Sequence, residues 1–193
     1  MLERESNPHF SPDAIDISDI VSFIEHPEKR VLYTVDISAK SALALGKHLR
    51  SSYNSQQDGI SAQVEIGGGE AANGEGSYLN NLAQSFVGAH LRKDEKNSAW
   101  IRLTQNDVEY VTQDLRTSIT GMRLIMKGSN ERPKVGGFFE RVIPSTLNAI
   151  DGVRELQVAF SSVAQREVYQ DLLIELEDQR RDLRDYLDRL KQE

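Results

Sequence analysis

The chain is expected to fold as an α+β protein. A small, about three-stranded sheet with flanking helices occupies the N-terminal half, and a helical C-terminal half ends in a long amphipathic or coiled-coil-like helix. Three observations predict this. Apolar and polar residues alternate in three short runs, the period of a strand with one buried face. Between and after those runs the apolar residues recur at helical spacing. The 193 residues are 38% hydrophobic and 27% charged, which suits a globular chain with a sizeable core and a polar surface.

The arm over 1–15 carries Pro8, Pro12, charge and little periodicity, so it is expected to be a flexible acidic segment. A short helix is expected next, with Ser18 as N-cap, an apolar face of Ile20, Val21, Phe23 and Ile24, and Pro27 at its end. In RVLYTVDI, Val31, Tyr33, Val35 and Ile37 alternate as a first strand; SAKSALALGKHLRSS follows as a helix. ISAQVEI is the cleanest alternation in the chain, because Ile60, Ala62, Val64 and Ile66 share one face of an extended segment. After the glycine loop at Gly67–Gly76, Ser77 caps a helix over Tyr78–Lys93, and SAWIRLT is the third strand. Thr104 and Asp107 form a capping-box start to a helix whose stripe is Val108, Val111, Leu115, Ile119, Met122 and Met126. KGSNERPKVGG interrupts the pattern, and helix resumes beyond Pro144 to the end. The implied organisation is an α+β domain over 16–127, a Gly/Pro-containing basic connector over 128–144 and a helical oligomerisation or partner-binding segment over 145–193.

Cysteine is absent, which removes disulfides, thiolate metal sites and a cysteine nucleophile from consideration. His9, His26, His48 and His90 share no metal-ligand spacing, so neither a metal nor a cofactor is expected. The acidic, proline-bearing N-terminus and the lack of a long apolar run predict a soluble cytoplasmic protein with no membrane partner.

The glycine loop has the order of a phosphate site, strand then glycines then helix, but the wrong charges. Gly69 and Gly74 are separated as in a P-loop, yet Glu75 stands at the lysine position and Gly76 at the Ser/Thr position. Glu70 and Glu75 would repel a phosphate, leaving a connecting loop or one that orders on a partner. A GxHLR echo links Gly46–Arg50 with Gly88–Arg92, each followed by a segment beginning Ser-Ala. If the two units pack side by side, His48 and His90 meet, and an enzyme using them is one alternative.

Charge is unevenly distributed. The net charge is −7, but residues 116–141 hold six basic side chains against two acidic ones. Arg116, Arg123, Lys127, Arg132, Lys134 and Arg141, with Phe138 and Phe139 beside them, are the candidate polyanion-binding set, as in a nucleic-acid-binding component. The C-terminal segment carries a heptad seam. Tyr169, Leu176, Leu183 and Leu190 are spaced by seven, and Leu172, Leu173, Tyr186 and Leu187 form a second row. These eight residues are the candidate helix interface, either with a partner or against the protein's own domain. The function expected is a non-catalytic assembly or adaptor subunit that associates with a protein partner or itself through its C-terminal helices. The alternatives are a nucleic-acid binder, a small-ligand or nucleotide-binding regulator, and the histidine enzyme.

Overall fold

The computed structural model describes residues 31–67, 73–128 and 136–192. The arm over 1–15 and the expected helix around Ser18–Ile24 therefore lie outside the described residues. Strand β1 (Tyr33–Ser38) pairs antiparallel with strand β2 (Ser98–Leu103), in register from Tyr33 opposite Leu103 to Ser38 opposite Ser98. Alternation turns Val35, Ile37, Ala99, Ile101 and Leu103 into the core, while Thr34, Asp36, Trp100 and Arg102 stay exposed. Among the described residues the sheet has two strands, not the three expected.

The expected strand ISAQVEI is instead the last part of helix α1 (Ala39–Gly67). Its alternation is ambiguous, because Ile60 and Val64, like Ala62 and Ile66, are also four apart and share a helix face. A helix already propagating from Ala39 adds one hydrogen bond per residue, so continuing it costs less than starting a strand. Helix α2 (Asn73–Leu91) then begins before the expected start, taking in the second half of the glycine loop, so Ser77 is not its N-cap.

The two helices cross closely where a Cβ on Gly46 would lie 2.7 Å from Val87 Cγ2, so the missing side chain sets the approach. Ser38 caps α1, its hydroxyl accepting from Ser41 N–H at 3.2 Å. The Glu155 carboxylate reaches the same cap, accepting from Ser38 N–H at 2.5 Å, from the Ser38 hydroxyl at 2.9 Å and from the Ser41 hydroxyl. A negative charge there also complements the helix N-terminus.

Helix α3 (Gln105–Gly128) starts with the expected capping box. Thr104 N–H donates to Asp107 Oδ2 at 2.6 Å, and Asp107 N–H donates to Thr104 Oγ1 at 3.2 Å. The Tyr78 phenol donates to the other Asp107 oxygen. Burial first, then that bond and the Asp107 charge, push the phenol well above its ordinary value.

Helix α4 (Gly136–Ala164) begins within the basic connector and contains Pro144. Proline removes one backbone donor, and Pro144 and Glu140, whose carbonyl loses that donor, are both on the exposed side. The helix stops in a Schellman arrangement. Gln165 adopts φ 52°, its N–H donates to Ser162 O at 3.4 Å, and Arg166 N–H donates to Ser161 O at 3.0 Å.

Helix α5 (Gln170–Leu190) follows directly. It runs antiparallel to α4, as the pairs Arg180–Asp151 (2.8 Å) and Arg154–Glu177 (2.6 Å) require, and parallel to α3, as Arg116–Glu175 (2.8 Å) and Arg123–Asp182 (3.0 Å) require. Among the described residues one hydrophobic cluster joins the sheet face to the five helices, from Val35 to Leu187. No described helix is long and apolar enough to cross a membrane.

Candidate functional site

Where α3, the C-terminal end of α4 and the start of α5 converge, they leave a groove of about 540 Å³. Helical spacing builds each wall. Gln105, Val108, Thr112 and Arg116 share one face of α3; Gln157, Phe160 and Ser161 share one face of α4. The Schellman turn then redirects the chain so that Arg166, Glu167, Tyr169, Asp171, Leu172 and Glu175 close the third side. Tyr33 of β1 stacks edge-on against Phe160 at 5.3 Å, which fixes that ring from behind.

The floor is apolar and interrupted by a polar relay. Val108 and Phe160 are buried, and Leu172 packs against the core. Gln157 Nε2 donates to Thr112 Oγ1 at 2.8 Å, and that hydroxyl donates to Val108 O at 2.7 Å. Gln105, only 9% exposed, donates through Nε2 to Glu109 at 2.6 Å, but its Oε1 has no hydrogen-bond partner among the described residues. Leaving a buried acceptor unpaired costs about 1–3 kcal/mol. At one end the Arg116 guanidinium grips Glu175 through two bonds, 3.1 and 2.8 Å, tying α3 to α5.

The residues singled out in the sequence fall as follows. Of the polyanion set, Arg116 and Arg123 hold carboxylates of α5, Lys127 and Arg141 are exposed, and Arg132 and Lys134 lie outside the described residues. A polyanion would have to displace Glu175 and Asp182. Of the helix-interface set, Leu176, Leu183 and Leu187 are buried in the chain's own core, with Leu172, Tyr186 and Leu190 packed against it; Leu173 is half-buried. Tyr169 is 66% exposed at the groove. The seam is thus filled from within the chain.

His48 and His90 take different partners. His48 Nε2 lies 2.9 Å from Asp114 Oδ2, too far off line for a hydrogen bond, and Ser52 Oγ donates to the same oxygen at 2.9 Å. The carboxylate stands between serine and histidine, whereas a nucleophilic triad needs the histidine in the middle. His90 Nδ1 donates to Ala39 O at 2.8 Å, tying the end of α2 to the start of α1. Among the described residues no group of three or more His, Asp or Glu is arranged to hold a metal ion.

Arg116 was singled out in the sequence for another role, but sequence reasoning missed the other polar groove residues of α3 and α4. Two signals were present: Thr112 interrupts an apolar stripe, and Gln157 interrupts the apolar run Leu156–Phe160, which Ser161 follows. The α3–α5 ion pairs also had a signal, since Arg116 and Arg123, like Glu175 and Asp182, are seven apart. No protein-family model, no curated protein and no solved structure matches this chain.

Proposed function

We propose that the protein is a non-catalytic assembly or adaptor subunit that receives a segment of a partner protein in the groove between α3, α4 and α5. The observation that carries this reading is the groove itself: a recess with an apolar floor and an unpaired buried acceptor on Gln105. Apolar area removes itself from water when a partner covers it, and a few fixed polar groups then set orientation. The C-terminal helix contributes one wall of the site, while its leucine seam serves the fold. The groove's polar groups are amides, hydroxyls and charged side chains, of which Arg116 and Glu175 form an ion pair, and they suit recognition more than proton transfer.

Its volume also favours a second reading, a small-ligand regulator, because ligand pockets commonly span about 300–1,000 Å³. Capture from a native extract with tagged wild type, compared with Gln113→Arg plus Tyr169→Ala, tests the proposal. Both positions are exposed on the groove wall, so folding is expected to be unchanged. A stoichiometric protein that the double variant loses supports the adaptor. A retained partner would refute groove binding, and a bound small molecule in native mass spectrometry would favour the regulator.

A further inference from the structure

We infer that in the free protein the groove is covered by the chain's own apolar segment around Ile20–Ile24, and that the partner enters by displacing it; this second half rests on the adaptor reading above. The described chain takes up at Val31, shortly before Tyr33, and the Tyr33 ring meets Phe160 of the groove at 5.3 Å between centroids. Residues 1–30 therefore join the fold beside the groove. Large apolar side chains stand exposed around that junction: Val31 and Leu32 on the approach to β1, and Val163, Tyr169 and Ile174 where α4 gives way to α5. Apolar surface gathered in this way gains by being covered.

The sequence before Val31 carries a matching face. Ile20, Val21, Phe23 and Ile24 fall on one side of a helical spacing, Ser22 and Glu25 fall on the other, and Pro27 closes the run. So short a helix does not hold in water alone and needs an apolar surface to lie on. From Ile24 to Tyr33 an extended chain reaches up to roughly 30 Å, farther than the width of a groove of about 540 Å³. That volume admits a row of side chains rather than a whole helix, as when one apolar face is laid across the mouth. The tether holds the segment at an effective concentration on the order of 1 mM, whereas a second copy or another protein must arrive from bulk solution. This advantage favours the chain's own segment until a tighter partner takes the site, and it lowers that partner's apparent affinity by the fraction of grooves already closed.

The test is amide NMR of the full chain with a spin label on Ser22→Cys, a clean site because the chain has no cysteine of its own. The amides of Val108, Thr112, Phe160 and Leu172 are expected to broaden, and that of Arg189, at the other end of α5, to stay sharp. Ile20→Asp with Ile24→Asp should remove the broadening while the amides outside the groove match the wild type. A synthetic peptide of residues 17–27 should then bind the groove of this double variant at least about fivefold more tightly than that of the wild type. Groove amides that stay sharp in the spin-labelled chain, or equal peptide binding by both chains, would overturn the inference and leave the capture comparison with Gln113→Arg plus Tyr169→Ala to decide the adaptor reading by itself. Broadening carried over to isotope-labelled chain mixed with spin-labelled chain would mean that a second copy supplies the segment, and would overturn closure within one chain. Capture by Ile20→Asp with Ile24→Asp should yield more of the partner than wild type does; the same yield would overturn displacement, and closure without any captured partner would sink the adaptor reading alone.

Discussion

The α1–α2 crossing makes a quantitative prediction about two helical glycines. A Cβ on Gly46 would lie 2.7 Å from Val87 Cγ2, 3.1 Å from Val87 N and 3.2 Å from Ala83 O. Two of these three atoms are backbone, and the valine is branched at Cβ with restricted rotamers, so relief requires the helices to separate. Overpacking of this sort costs about 1–3 kcal/mol. Alanine returns roughly 0.5–1 kcal/mol through its higher helix propensity. Gly46→Ala is therefore expected to lose roughly 1–2 kcal/mol, or about 2–8 °C of Tm for a chain of this size. Gly121, inside α3, meets nothing within 4 Å, so Gly121→Ala should gain about 0.5–1 kcal/mol from propensity alone. Urea unfolding followed by circular dichroism places the two variants on opposite sides of the wild type. A Gly46→Ala protein as stable as Gly121→Ala would refute the close crossing.

Leu183→Asp places a carboxylate at a fully buried position of α5 and should unfold the protein or cost several kcal/mol, as thermal melts would show; a stable, monomeric variant would mean that α5 does not belong to the core. The Tyr78 phenol is held protonated in the fold. Above the ordinary tyrosine value the unfolded chain then binds fewer protons than the native one, so stability falls as pH rises through that range. Denaturant midpoints above about pH 10 should fall more steeply for wild type than for Tyr78→Phe, and parallel curves would contradict the assignment. Gln165 sits at φ 52° at the end of α4, where Gly is the residue without a Cβ penalty. Gln165→Gly should raise stability by up to about 1 kcal/mol, and a loss measured in the same melts would count against the Schellman turn.

Local chemistry was the legible part of this chain. The Thr104–Asp107 box, the stripe from Val108 to Met122 and the alternation of Val35 and Ile37 each depend on neighbours within a few residues, and each appears where the sequence placed it. The leucine seam of α5 was also legible as an apolar row, but not its destination. A heptad pattern says that a surface must be covered and is silent on whether the cover comes from the same chain. Residues 60–66 failed for a related reason, since a run of alternating apolar positions also contains i,i+4 pairs and the upstream helix decided the outcome. The groove depends on α3 meeting the α4–α5 corner some 45 residues further along the chain, so Thr112 and Gln157 became partners only once α3 and α4 were in register.

The central claim is that a partner protein occupies the groove while α5 remains part of the core. A photo-reactive amino acid at Gln113, exposed on the α3 wall, compared in cells with one at Asp188 on α5, outside the groove, tests it most directly. A discrete protein adduct from position 113, absent from position 188, is the predicted result. No protein adduct at 113, or the same adducts from both positions, would contradict the claim.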